Sequence, residues 1–405
     1  MTSRDQERFL VSRRVAAVSC RVMPWSKRLY GFRLTVVAVA AGLVAGRTAS
    51  SQPTLKDAFN GIFLVGAAIN GRQFSGANVN DASLIASQFN AVSPENVLKW
   101  ESVEPRPGVF AFDGPDKYVS FATSHGIVAI GHTLVWHNQT PKWVFEDGKG
   151  GPASRDTLIA RMRSHIMTVV GRYRGRIRGW DVVNEAITED GSMRQSPWMR
   201  IIGPDYVEMA FRFAHEADPA AELYYNDFSV EGAAKREGII RLVKSLEAKG
   251  VAITAVGMQE HQKLDWPTPQ AVDSAITEIA ATGVRIVVTE LDVDVLPSNK
   301  GQRTEAIERE LARTGAPDPY REGLPDSMQV RLAHRYGDLM RVYVRHRSTI
   351  QRLTFWGVTD ADSWLNNFPV RGRVNYPLLF DRAGRPKLAF DTVIAVARTA
   401  TARIH

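Results

Sequence analysis

Cysteine is almost missing from this chain: among 405 residues there is one, Cys20. Beyond position 20 there is no disulfide, no thiol nucleophile and no thiolate–metal bond, so stability there must come from core packing. The nine histidines form no HExxH motif and no i, i+4 pair; His132 and His137 are five apart. A glycine-rich phosphate loop is lacking too, and neither a metal nor a cofactor is expected. The sequence also has no Pro/Ser-rich linker, no low-complexity tract and no short-period repeat. Excess charge is confined to one end. Residues 1–50 hold nine Lys/Arg against two acids, a net of +7 out of the chain's +8, which leaves the remainder near neutral. That balance gives no electrostatic support for a nucleic-acid partner, and none is expected.

Long apolar runs are scarce as well. Residues 34–46 (LTVVAVAAGLVAG) fall short of the roughly 20 apolar residues that cross a bilayer comfortably. They follow Lys27, Arg28 and Arg33 and precede small polar residues, the layout of a secretory signal peptide. Residues 1–50 are therefore read as a signal peptide. Met23 offers a second start giving a leader of more usual length, and cleavage is placed between Ala45 and Gln52. The Arg13-Arg14 pair stands too far upstream of the apolar run for a twin-arginine signal. The mature chain is expected to be secreted or periplasmic, a monomer, and free of the membrane.

What is present is a recurring strand-and-helix unit. Apolar, β-branched runs occupy residues 62–69, 90–96, 127–136, 177–185, 221–227, 251–259, 285–293 and 352–360. Helical spacing fills intervals such as 154–172, 205–217, 232–249, 268–282 and 328–347. Near-continuous apolar strands alternating with helices predict a parallel sheet covered on both faces, and eight such units predict a closed (β/α)8 barrel. The barrel is assigned to residues 51–398, with 399–405 as a C-terminal tail. Residues 294–327 are a polar excursion, and 302–313 within them have the spacing of a short amphipathic helix.

Polar residues in these runs lie toward one end. His132, Asn184, Glu185, Asn226, Gln259 and Glu290 fall toward the C-terminal ends of their runs, where barrel enzymes carry their chemistry. Glu185 lies in WDVVNEA and Glu290 in VVTELDV. A carboxylate next to a buried strand is costly unless it is used. Hydrolysis of a glycosidic bond uses two such groups, about 5–5.5 Å apart when configuration is retained. Opposed fourth and seventh strands of a narrow barrel can supply that spacing. Asn184 is suited to hydrogen-bond a sugar hydroxyl. His261 is placed to reach Glu290, with Asp292 holding its other ring nitrogen. An imidazolium there would keep Glu290 ionised. An apolar setting built by Trp136 or Trp356 is expected to keep Glu185 protonated.

WDVVNEA and TELDV, together with SPENVLKW, GHTLVWHNQTPKW, YYNDF, GMQEH, GLPDSMQ, FWGVTDADSWLNNFPVRG and YPLLFDRAGRPKLAF, resemble glycoside hydrolase family 10 over about residues 55–398. The resemblance implies a retaining endo-1,4-β-xylanase acting on xylan or xylo-oligosaccharides, with Glu185 as acid/base and Glu290 as nucleophile. It implies a sugar-binding pocket of Glu95, Asn96, Lys99, His132, Trp136, Asn184, Gln259, His261, Trp356 and Trp364. Phe228 falls where the family usually has a tyrosine that stacks on the leaving-group side. Ser229 replaces a frequent Asn. Glu260 stands where a small residue, often Ser, is common, and the cysteines many members carry near the sixth strand are missing. Two other readings remain open. One is a barrel glycosidase acting on β-glucan or cellulose, although Lys99 and Trp364 should crowd the hydroxymethyl group that xylose lacks. The other is a non-catalytic carbohydrate-binding barrel, for which loss of a catalytic carboxylate would be the sign.

Overall fold

The computed structural model describes residues 53–297 and 305–402; the segment read as a signal peptide lies outside the described residues. Within the compact unit Gln52–His405, nine strands run β1 (Leu64–Ile69), β2 (Ala91–Pro94), β3 (Val128–Val135), β4 (Ile177–Asn184), β5 (Glu222–Asp227), β6 (Ala255–Met258), β7 (His261–Lys263), β8 (Arg285–Asp294) and β9 (Ile350–Phe355). All pairings are parallel. The order β6-β5-β4-β3-β2-β1-β9-β8 closes on itself through β6 and β8, making an eight-stranded barrel. The short β7 adds only to the end of β8, where His261 pairs with Asp292. The sixth apolar run is therefore not one strand from 251 to 259. Of it only Ala255–Met258 is strand (β6), and Gln259 and Glu260 separate that strand from β7, which lies beyond the run. Likewise the last barrel strand ends at Phe355, before Trp356.

The helices that cover the barrel begin where the chemistry of their first turns directs. Ser154 caps Arg155–Arg172 by accepting from Thr157 N–H, and Thr268 caps Pro269–Ala280, whose proline occupies the first turn. Their apolar stripes face the sheet: Leu158, Met162, Ile166, Val169 and Val170 are buried on the first, Val272, Ala275, Ile276 and Ile279 on the second. The amphipathic piece of the polar excursion is a helix, Glu305–Thr314. The closing helix runs Leu388–Thr401, past residue 398. Lys387 clips that end of the chain to the barrel. Its ammonium donates to Asp360 Oδ2 (2.8 Å) and to the carbonyls of Tyr376 and Leu378. No helix among the described residues is long and apolar enough to cross a membrane.

Packing inside the barrel is tight enough to dictate glycine. At Gly131 of β3 an added Cβ would sit 2.0 Å from Cε3 of the fully buried Trp180 of β4. Overpacking a rigid core by one methyl costs about 1–3 kcal/mol, and more where no neighbour can yield. Gly131→Ala is therefore expected to lose about 3 kcal/mol in urea unfolding; a change of a few tenths would show that Trp180 swings aside.

Candidate active site

The C-terminal ends of the strands surround a cleft of about 780 Å³. Glu185, Glu290, Glu95, Asn96, Lys99, His132, Trp136, Asn184, Phe228, Gln259, His261, Trp356 and Trp364 all line it. Asp292 is fully buried behind His261. Residues drawn from every part of the sequence thus meet in one place because each follows, or lies in, the second half of a parallel strand.

Glu185 follows the last residue of β4 in a left-handed backbone conformation, φ 59°. For a side chain with a Cβ this costs about 1 kcal/mol or more and persists only where the surroundings enforce it. Here the Glu185 N–H donates to the Asn226 carbonyl (2.9 Å) and Arg194 Nε donates to the Glu185 carbonyl (2.7 Å). The next two N–H groups, of Ala186 and Ile187, donate to the Tyr225 hydroxyl. Trp136 Nε1 donates to Glu185 Oε2 (2.9 Å), while Gln259 Nε2 (3.0 Å) and Asn184 Nδ2 (3.3 Å) donate to Oε1. The apolar setting expected of this carboxyl is not what is found. Trp136 is its neighbour, but an indole entering from the end of β3 offers its N–H, and two amides complete a polar surround.

Glu290 lies within β8, where the register changes. Between Val288 and Leu291 β8 has one residue more than β9, and between Val288 and Asp292 one more than the β6–β7 side. A bulge of this kind breaks the alternation of faces and re-aims a side chain. Glu290 Oε1 accepts from Asn226 Nδ2 (2.9 Å) and Oε2 from His261 Nε2 (3.2 Å). Asn226 also donates to Asn184 Oδ1 (2.9 Å), so hydrogen bonds through Asn226 and Asn184 connect the two glutamates.

His261 Nδ1 donates to Asp292 Oδ1 (3.1 Å), and Asp292 also accepts from Trp364 Nε1 (2.7 Å). Burial opposes a charge on His261, but Asp292 and then Glu290 outweigh it and push its pKa up to about 9. Near neutral pH both ring nitrogens therefore carry hydrogen. Burial alone would raise the Glu290 carboxyl as well. The hydrogen bond from His261 and the pull of the His132 and His261 rings win, holding it below the usual glutamate value of 4.5.

The rest of the cleft is shaped for a polar, flat-faced ligand. Lys99 Nζ donates to Asn96 Oδ1 (3.1 Å) and Gln139 Oε1 (2.8 Å) and lies 5.1 Å from the Trp136 ring centroid. Burial lowers its pKa against the opposing charges of Glu290, Glu95 and Glu185. Glu95 is pushed up to about 7 by burial first and Asp362 second. His132, held by Asp181 at 2.8 Å, and His261 both meet the Trp356 ring edge to face. Across the cleft the half-buried Phe228 ring has Lys235 Nζ 3.6 Å from its centroid, and that lysine is paired with Asp227 at 2.8 Å, both of them out of solvent.

Three contributors were given no role in the site from sequence. Asn226 carried a signal, as a polar strand-end residue, but its link to both glutamates depends on how strands β4, β5 and β8 approach each other. Arg194 reaches the Glu185 carbonyl from a loop, and Gln139 orients Lys99 from a left-handed position (φ 47°). Neither had a pattern to betray it. Among the described residues no group of three or more His, Cys, Asp or Glu is placed to hold a metal ion.

Two carboxyl groups linked beneath indole rings and amide donors are equipment for glycosidic-bond hydrolysis, and a barrel glycosidase is the class that this fold and cleft define. Comparison with known proteins narrows the class. The family model described as "Glycosyl hydrolase family 10" matches residues 54–396. The chain is 43% identical over 346 residues to an endo-1,4-β-xylanase A of Xylanibacter ruminicola, covering 85% of this chain and 94% of that one. Among solved structures it is similar to a GH10 endoxylanase from a sugarcane soil metagenome (TM-score 0.79, 42% identity, 85% of this chain and 100% of the other). It is also similar to a mutant of the intracellular xylanase of Thermoanaerobacterium saccharolyticum in complex with xylotetraose (TM-score 0.74, 35% identity, 85% and 98%). The chain belongs to glycosyl hydrolase family 10.

Proposed function

We propose that this protein is a retaining endo-1,4-β-xylanase that cleaves internal bonds of xylan, with Glu290 as nucleophile and Glu185 as general acid/base. The observation that carries the proposal is the hydrogen-bonded connection between these two buried glutamates at the mouth of one barrel. The Glu290 carboxylate attacks the anomeric carbon; the bond to the leaving oxygen breaks, and Glu185 gives that oxygen its proton. A glycosyl ester on Glu290 and a shortened chain result. Glu185 then takes a proton from water, the water oxygen attacks the same carbon, and Glu290 departs as carboxylate. Two inversions leave a β-configured product. His261 and Asn226 hold the nucleophile's two oxygens in place throughout, which limits the reorganisation needed in the transition state.

Xylan as the polymer is supported by the names of the similar proteins and by the xylotetraose complex of one of them. It is supported too by Lys99 and Trp364 in the cleft, where a hydroxymethyl group would be crowded. The apolar run 34–46 behind its basic residues supports export of the chain to the periplasm or the medium. Proton NMR of residues 52 onward acting on xylohexaose and cellohexaose tests the reading. Early internal cleavage of xylohexaose to β-configured ends is expected. Cleavage of cellohexaose alone would transfer the function to β-glucan, and cleavage of neither would leave a binding protein.

His261 sets a pH dependence. Because Glu290 must be ionised and is held below 4.5, the acid limb of kcat/KM is expected below pH 4.5. His261→Asn removes the cation and should move that limb upward. The same histidine contributes to stability. Its folded pKa of about 9 exceeds its ordinary 6.5, so its contribution is complete below pH 6.5 and fades as pH rises through about 9. Melting temperatures of the parent should decline over that window, and those of His261→Asn should decline less.

A further inference from the structure

Behind Gln259 and His261 lies another pair of carboxyl groups, which the reaction above does not use. Glu260 sits between these two cleft residues but does not line the cleft. Its backbone is left-handed (φ 61°) and its side chain is buried on the far side, 2% exposed. There it meets Glu231, which precedes helix Ala233–Ala248 and is also buried. One amide serves both: Gln262 Nε2 donates to Glu260 Oε2 (2.6 Å) and to Glu231 Oε1 (3.1 Å). The Tyr343 hydroxyl donates to the same Glu260 oxygen (2.6 Å). The remaining oxygens, Glu260 Oε1 and Glu231 Oε2, are buried and receive no N–H or O–H from the described residues. The two carboxyl groups lie within hydrogen-bonding reach of each other.

Two ionised carboxylates are costly in such a place, because the one neutral amide they share does not offset their repulsion and the two remaining oxygens have no donor; a single proton converts the clash into a hydrogen bond. Burial first, and the charge of Glu231 second, push Glu260 well above the ordinary range. The charged and titratable groups facing the pair do not cancel that. Arg335 of helix Asp326–Arg345 gives its hydrogen bonds to Gln262 Oε1 and the Pro267 carbonyl, both 2.7 Å. Asp338 lies near Arg335, and Tyr343 itself stays neutral. Arg236 of helix Ala233–Ala248 is occupied by the Glu231 carbonyl (2.8 Å) and by Glu278.

We propose that Glu260 is a positioning residue: with Glu231 it forms a carboxylic acid–carboxylate pair holding one proton, and that pair anchors the backbone turn from which Gln259 and His261 reach the two cleft glutamates. The proposal rests on the reading that Glu185 and Glu290 carry the reaction. The anchor is short. The Glu260 carbonyl accepts from Asp292 N–H, Gln259 donates to Glu185, and His261 donates to Glu290, so one residue's displacement moves both contacts.

The test uses Glu260→Gln and Glu260→Ala in the mature chain. Infrared difference spectra of parent minus Glu260→Gln near neutral pH should show the carbonyl stretch of a protonated carboxylic acid that shifts in heavy water. On xylohexaose, Glu260→Ala should lose about tenfold in kcat with KM little changed. Glu260→Gln, whose amide can still donate to Glu231, should recover most of it. A group whose folded pKa is raised contributes stability that is present below its ordinary 4.5 and lost as pH climbs toward the folded value. The melting temperature of the parent should therefore fall with rising pH more than that of Glu260→Gln. If Glu260→Ala fails to fold, the infrared and melting comparisons with Glu260→Gln still decide. A difference spectrum without the protonated-acid band overturns the shared proton; a Glu260→Ala with full kcat overturns the positioning role. Absence of xylohexaose cleavage by the parent would instead sink the hydrolase reading, and the infrared band would still report the pair.

Discussion

Glu290→Ala is expected to lower turnover of xylohexaose by about five orders of magnitude while leaving a folded protein. The side chain is the only carboxylate that His261 and Asn226 both hold in the cleft, and those partners are donors that offer no electron pair to carbon. Without it there is no glycosyl ester, and water would have to attack directly with no base on that face. Folding should survive, because removing a buried carboxylate also removes the cost of burying it, and the His261 cation keeps Asp292. Reducing-end release measured beside circular dichroism would settle the matter. A folded variant with near-parental rates would mean that the nucleophile lies elsewhere.

Glu185→Ala should behave differently, and the difference is diagnostic. On xylohexaose the leaving group is a sugar alkoxide that needs a proton, so the rate should fall by about 10³–10⁴-fold. On an aryl xylobioside with an acidic phenol, departure needs no proton and the first step should stay fast. The second step then lacks its base, and the glycosyl ester should accumulate. Intact-protein mass spectrometry should find a xylobiosyl adduct on the chain, and peptide mapping should locate it at Glu290. Equal losses on both substrates, or no adduct, would remove Glu185 from the acid/base role. The surroundings of Glu185 favour a clean experiment, since its backbone is held by Asn226, Arg194 and Tyr225 independently of its side chain.

Much of the fold was legible because it is local. Eight apolar runs separated by helical spacing were enough for a closed barrel, and the strand limits shifted by only a few residues. The largest departure was the sixth run, read as 251–259, of which only Ala255–Met258 is strand. Gln259 read as the end of the apolar strand, and a left-handed Glu such as Glu260 just beyond it has no sequence mark comparable to that of glycine. The site residues were legible as a set because parallel strands deliver all their C-terminal ends to one face. Their partners were not. Asp292 looked like a support for His261 alone, yet it also holds Trp364 from 72 residues away. Trp136 looked like an apolar wall and proved to be a donor.

The sequence by itself determined the number and order of the strand–helix units, the side of the barrel on which carboxylates and indoles collect, and the absence of thiol and metal-motif chemistry after residue 20. These follow from periodicity and residue type, which need only a few neighbours to express themselves. The tertiary structure decided how the groups are aimed. The extra residue in β8 that turns Glu290, the amide of Asn226 between two glutamates, and the burial of Glu260 against Glu231 all depend on the register between distant strands. Register is set when the whole barrel closes and fills its interior, a condition on every strand at once that no single stretch of sequence contains.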